Sequence, residues 1–458
     1  MRICCLLGAL VVVALLASSP ASARQSSKAH DRVGLIVRDN VLVHEKASTH
    51  SRVLAVLVEQ TQVEVLARHS AWFHVRIWAS VSGWVQSREI VFRKLYASVS
   101  TYHAPEVHYH VQEHGAAPID AHAATTATTA LRSAPGGSVV GSLLAGKRIR
   151  ISAWQQDSLG KVWYRTDGRW ALGDTVQFAS NRPERFTAGK APAWRILTGK
   201  GMWLTLGIIA GSSPDAIVSA AVHNGITHLY LEAAISPLGF HGRKTVGGLI
   251  EAAHRHHVAV IAWVYPYLYD LASDVDLTRQ VASFHTSHGD SFDGIAADLE
   301  RDVQLWNVRA YSQLVRTYLG ERYLLVGVTY PPQSSPNYPF AEVAHDYDII
   351  APMDYWHETK THFGLNYGQM RYGYAYSYRY AADSIQGIRR LVGGTPIAPI
   401  GQTFDDFGRL EMGPDAPSSS EVRGFLAGCK AQAAVGASFF QWMTTTDAEW
   451  HALAGFRY

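Results

Sequence analysis

The chain has 458 residues, 47% of them hydrophobic and 17% charged, enough for two or three domains and too apolar for wholesale disorder. Lys and Arg number 41 against 38 Asp and Glu. A net charge of +3 with no long basic run excludes a nucleic-acid binder that works through phosphate neutralisation.

Residues 1–23 read as a signal peptide. Arg2 precedes an apolar stretch at 3–16, and Ala21-Ser22-Ala23 has the small-x-small form of a cleavage site. The stretch is shorter than the roughly 20 residues of a membrane span. The alternative is a retained N-terminal anchor flanked by Arg24 and Lys28. Cleavage would remove Cys4 and Cys5 and leave Cys429, so neither an intrachain disulfide nor a cysteine metal site is expected. The expected location is secreted or wall-associated, with no integral membrane partner and no nucleic-acid partner.

Two segments, 31–95 and 117–180, alternate apolar and polar residues with a period of two, the pattern of short half-buried strands. They resemble each other, so a diverged tandem repeat is expected. The first carries Val41-Leu42-Val43-His44, Trp72-Phe73-His74-Val75 and Gly83-Trp84-Val85. The second carries Arg132-Ser133-Ala134-Pro135, Trp163-Tyr164-Arg165 and Arg169-Trp170-Ala171. Both resemble bacterial SH3-type domains, and the second keeps Arg132, Ser133 and Pro135 of that family's turn. The resemblance implies two small all-β barrels, serving either as wall-binding modules or as spacers. Between them His103, His108, His110 and His114 lie in an Ala/Thr-rich stretch that reads as linker rather than metal site. Residues 181–200, with Pro183 and Pro192, form a second linker.

From residue 201 to 458 apolar runs alternate with helical patterns. Strands are predicted at 202–206, 228–232, 258–264, 292–298, 323–329, 348–353, 397–400 and 437–442, and helices at 214–224, 245–257, 275–288, 308–319, 381–391 and 420–434. Eight strands with intervening helices fit an α/β fold, a (β/α)8 TIM barrel. A doubly wound open sheet is the alternative, but Gly207-Ile208-Ile209-Ala210-Gly211 is not the phosphate loop that such a sheet would carry.

Barrel chemistry sits at the C-terminal strand ends. The polar residues there are Glu232, Tyr265 and Tyr267, Asp298 and Glu300, Tyr330, Asp354 with Tyr355 and Trp356, Gln402, and Gln441-Trp442. Carboxylates and aromatics on one rim suit glycosidic bond cleavage, since carboxyls move protons and ring faces stack on sugars. Asp298 and Glu300 share strand parity with Ala296, so all three point into the barrel. Like charge and partial burial raise one of the two carboxyl pKa values, the condition for a general acid. A solvated pair capping the next helix is the alternative. Glu232 is either a second catalytic carboxylate or the partner of a nearby Arg or His. His254, Arg255, His256 and His257 end a helix and suit its dipole. Asp405 and Asp406 fall on a loop. No cofactor or metal site is indicated.

The run Asp293-Gly294-Ile295-Ala296-Ala297-Asp298-Leu299-Glu300 resembles the strand-four motif Asp-Gly-x-Asp-x-Asp-x-Glu of family 18, chitinase-like, glycoside hydrolases. Ala296 stands where that family has an Asp. Met353 and Tyr355 match the strand-six Met-x-Tyr-Asp, with Trp356 in place of the Asp; the strand-three Ser-x-Gly-Gly motif is missing. The resemblance implies Glu300 as proton donor, Asp298 as the group that orients a substrate acetamide, Tyr355 as its hydrogen-bond partner and Trp442 as the pocket floor. It implies Asp354 as a stand-in for the replaced Asp only if the strand end turns it inward. Tyr265, Tyr330 and Gln402 would be sugar contacts. The implied partner is a polysaccharide or peptidoglycan, β-linked and N-acetylated. The other reading is a carbohydrate- or wall-binding scaffold that has lost catalysis.

Overall fold

The computed structural model describes residues 33–36, 41–57, 62–78, 81–91, 114–180, 193–236, 238–357, 372–404 and 417–458. The expected signal peptide, His103, His108 and His110, most of the second linker, and Asp405 and Asp406 lie outside them.

Two antiparallel sheets come first. One comprises β1 (Val33–Ile36), β2 (Val41–His44), β3 (Val53–Leu57), β4 (Gln62–His69), β5 (Trp72–Trp78), β6 (Val81–Gln86) and β7 (Ile90–Val91), in the order β3-β2-β6-β5-β4-β1-β7. The other comprises β8 (Ala117–Thr125), β9 (Thr129–Arg132), β10 (Val139–Leu143), β11 (Arg148–Gln156), β12 (Val162–Thr166), β13 (Arg169–Leu172) and β14 (Val176–Phe178), in the order β10-β9-β13-β12-β11-β8-β14. The two orders are the same permutation, so the repeat in the sequence is a repeat of architecture. Each sheet buries its inward row, Val43, Val75 and Val85 in the first and Ile151, Tyr164 and Val176 in the second.

The third sheet is parallel and eight-stranded: β15 (Gly199–Leu204), β16 (Ile226–Ile235), β17 (Ala259–Tyr265), β18 (Gly294–Asp298), β19 (Leu325–Thr329), β20 (Ile349–Pro352), β21 (Ile400–Gln402) and β22 (Gly436–Phe440). β22 pairs with β15, and bridges Ile350–Ile397 and Met353–Ile400 join β20 to β21, which closes the ring. Helices α1 (Leu206–Gly211), α2 (Pro214–His223), α3 (Gly247–Arg255), α4 (Leu271–Ala282), α5 (Leu305–Leu319), α6 (Phe340–Asp346), α7 (Tyr374–Val392), α8 (Ser419–Ala431) and α9 (Asp447–Gly455) alternate with the strands. This is a TIM barrel.

Strand parity splits the core in two. Leu229, Leu231, Val260, Ala262, Ile295 and Phe439 face the helices. Trp203, Tyr230, Trp263, Ala296, Val328, Met353 and Phe440 fill the barrel. Gly294 allows a close approach, since a Cβ there would stand 2.9 Å from the Leu324 side chain and carbonyl. At the bottom of the barrel Asp293 holds the start of β17, accepting from the Val260 N–H at 2.7 Å and pairing with His254 Nε2 at 3.1 Å.

Helix boundaries depart from the sequence prediction where caps decide them. α4 begins earlier than residue 275 because the Asp270 side chain caps it, accepting from the Ser273 N–H at 3.1 Å. Glu421 and Glu449 complete capping boxes with Ser418 and Thr446 at the starts of α8 and α9. The short α6, and α9, carry too few apolar repeats to stand out in the sequence.

The second β-sheet is fused to the barrel flank. Trp154 Nε1 donates to the Tyr318 hydroxyl at 2.9 Å, and Gln313 joins the Tyr164 hydroxyl at 2.6 Å to the Phe178 N–H at 3.1 Å. Gln156 accepts from the Leu271 N–H at 2.8 Å, satisfying a free donor at the start of α4. Its core is continuous with that between the barrel strands and helices.

Candidate active site

One cavity opens inside the barrel at the C-terminal strand ends. Trp203, Trp263, Asp298, Glu300, Val328, Met353, Tyr355, Ile400 and Phe440 line it, and the space between their atoms, open solvent included, is about 230 Å³.

Asp298 ends β18 and is almost wholly buried, as is Glu300 two residues on. The Asp298 Oδ2 accepts a hydrogen bond from Trp263 Nε1 at 2.9 Å, and the Glu300 carboxyl lies within hydrogen-bonding reach of Asp298. Burial raises the Asp298 carboxyl above the ordinary carboxylate range; the bonds to Trp263 and Glu300 pull it partly back. Two buried carboxyls in contact favour a single negative charge shared with one proton, so the pair can hold a proton and give it up.

Trp263 is the residue that sequence reasoning missed. β17 and β18 pair with Trp263 opposite Ala296. From that position the indole N–H reaches the Asp298 Oδ2. The signal was available: Ile261, Trp263 and Tyr265 alternate on one strand face, so Trp263 must point inward if Tyr265 does.

The walls are aromatic. Trp203 stacks on Tyr230 with centroids 4.2 Å apart, and Trp263 meets Trp203 and Phe440 edge-on at 5.4 and 5.8 Å. Tyr355 packs edge-on against Phe404 at 5.0 Å and faces the cavity. The backbone of the acidic segment is pinned from β19 and the loop after it. Tyr338 donates to the Leu299 carbonyl at 2.9 Å and Tyr330 to the Glu300 carbonyl at 3.2 Å. Tyr265 is buried beside Glu300, and burial followed by the charges of Glu300 and Asp298 raises its hydroxyl pKa well above the ordinary value.

Five residues named from the sequence sit elsewhere. Trp442 lies outside the cavity, its ring 4.9 Å from Trp450; Phe440, two residues earlier, is the lining residue on β22. Asp354 faces away from the cavity toward α7, where it accepts from the Ser384 hydroxyl at 2.6 Å. Parity forces this, because Met353 and Tyr355 take the inward positions. Trp356 also turns away, donating its Nε1 to Glu421 at 3.1 Å. Strand six thus presents Met353 and Tyr355, and not Asp354 or Trp356, to the cavity. Gln402 is wholly buried and bonds backbone: it accepts from the His357 N–H and donates to the Phe404 carbonyl, both at 3.1 Å. Glu232 accepts from the Leu206 N–H at 3.1 Å and pairs with His241 at 3.0 Å, tying α1 to the rim. Among the described residues no group of His, Cys, Asp or Glu forms a metal cluster, and no helix is long and apolar enough to cross a membrane.

No protein-family profile matches the sequence, and no curated protein does. Among solved structures, the spore cortex-lytic enzyme SleL of Bacillus cereus is similar at 11% identity and a TM-score of 0.43, over 57% of this chain and 75% of that one. A family GH18 chitinase from Cycas revoluta, in complex with (GlcNAc)3, is similar at 15% identity and a TM-score of 0.42, over 56% of this chain and 98% of that one. A class V chitinase from Pseudomonas fluorescens is similar at 12% identity and 0.41, over 56% and 98%.

Proposed function

We propose that the protein is a glycoside hydrolase of the chitinase-like kind, acting on a β-linked, N-acetylated polysaccharide. The observation that carries this reading is the buried Asp298–Glu300 pair in an aromatic cavity at the C-terminal end of a TIM barrel. Glu300 would protonate the glycosidic oxygen of the departing sugar. The substrate's own acetamide oxygen would attack the anomeric carbon, Asp298 orienting the acetamide N–H and Tyr355 its carbonyl. The Trp263 indole would steady the charge on Asp298 as it develops. Phe440, Trp203 and Trp263 would stack on the sugar; a water taking the place of the departed sugar would then attack the anomeric carbon, giving its proton to the Glu300 carboxylate and releasing the acetamide.

The first 23 residues support export, and the paired all-β sheets support modules of the SH3 kind that keep the enzyme on its wall substrate. The test sets the chain from residue 24 to 458 beside its Glu300→Gln variant, with peptidoglycan and with chitin oligosaccharides, reading soluble products by mass spectrometry. Products from the unaltered chain alone are expected, a loss of at least about 100-fold in the variant. Equal release by both would remove Glu300 from the acid role. Sedimentation with the wall and no product from either would support the binding-scaffold reading.

A further inference from the structure

Arg301 follows the candidate acid directly and carries a charge that the site as described does not use. Its guanidinium carbon sits 4.7 Å from the centre of the Tyr267 ring, and that ring meets Tyr265 edge-on at 5.1 Å. Tyr265 in turn neighbours both Glu300 and Arg301, and Arg301 follows β18 at the C-terminal end of the barrel, where Glu300 lines the cavity. Among the described residues the Arg301 Nε has no hydrogen-bond partner, and no carboxylate forms an ion pair with it. The neighbouring acids are engaged elsewhere. Glu300 is turned to Asp298, and Asp302 accepts from the Asn307 side chain at 2.7 Å.

A half-buried guanidinium over the face of Tyr267, with its Nε unpartnered, suits a planar anion. Neutral sugars need no such group. The Tyr267 face orients the fork and reduces the side-chain freedom lost on binding. Tyr265 joins it to the acid, so an anion held there belongs to a sugar unit next to the bond being cleaved.

We infer that Arg301 is a specificity residue that binds a carboxylate carried by the glycan, so that the preferred substrate is an acidic N-acetylated polysaccharide rather than a neutral one. This rests on the hydrolase reading above. The carboxylate has two chemical sources: a lactyl ether, as on a muramyl sugar, or a uronic acid.

The test uses the full chain with Glu300→Gln, so that binding is read without turnover. Calorimetry compares muramyl-containing oligosaccharides with free carboxylates, the same fragments after carbodiimide amidation, a hyaluronan tetrasaccharide, and an N-acetylglucosamine tetramer. Amidation is expected to weaken binding about tenfold. Adding Arg301→Gln removes that difference, while Arg301→Lys keeps part of it. Preference for the muramyl fragment alone assigns the lactyl carboxylate, and equal preference for hyaluronan assigns a carboxylate of either source. If amidation changes affinity less than twofold, or Arg301→Gln leaves the preference intact, the inference is wrong. Hydrolysis by the unaltered chain is scored separately. Cleavage of acidic and neutral glycans alike keeps the hydrolase and removes the anion site; tenfold tighter binding without release keeps the anion site and removes the hydrolase.

Discussion

The indole N–H of Trp263 donates to Asp298 across 2.9 Å, from the strand next to the one that carries the carboxyl pair. A bond to the charged form of an acid stabilises that form. Trp263 thus sets how readily Asp298 ionises, and through it how the pair shares its proton.

Trp263→Phe keeps most of the packing and deletes the donor. The Asp298 pKa then rises further, because the remaining effect of burial goes unopposed by the indole. The acidic limb of the pH–rate profile is expected to move up by about one unit, a change worth roughly 1.4 kcal/mol. An unmoved profile with reduced turnover would assign Trp263 to packing alone.

The two aromatic residues at the end of β22 separate cleanly. Phe440→Leu opens the cavity wall and is expected to lower kcat/KM about tenfold, with a loss of roughly 1 kcal/mol in stability. Trp442→Phe touches only the packing against Trp450 and is expected to leave kcat/KM within about twofold. Turnover and melting temperature on both variants decide between the two positions. A larger loss of turnover at Trp442 would contradict the placement.

Asp274 governs a stability change with pH. It is buried in the first turn of α4, accepting from the Leu268 N–H at 2.8 Å and bonded to the Ser236 hydroxyl. Burial is the largest cause that pushes its carboxyl up to about 7 from the ordinary 3.8. An acid with a raised folded-state pKa contributes stability that is complete below its unfolded pKa near 4. That stability is lost as pH rises toward and through 7. Melting temperature is expected to fall from pH 5 to pH 8. Asp274→Asn, which can still accept from Leu268 and donate to Ser236, flattens that fall. An equal slope in both proteins would show that Asp274 is not its source.

The alternation of apolar runs and the motif at 293–300 were enough to read the barrel and to put Asp298 and Glu300 on its inner face. Period-two parity and the C-terminal location of barrel chemistry are local rules, legible one strand at a time. The same rules placed Tyr355 inward, and in doing so already committed Asp354 to the outside. The sequence could not say which residue meets Asp298, because that depends on the register between β17 and β18, which brings Trp263 opposite Ala296. Nor could it show that Phe440 rather than Trp442 lines the cavity, since the chain leaves the strand between them and parity stops applying. Glu232 and Gln402 looked like ligand contacts and are tied up by Leu206, His241, His357 and Phe404, partners brought close only by the closed ring. Patterns within one segment determine what faces inward; pairing between segments decides which inward groups are spent on the fold and which are left for a ligand.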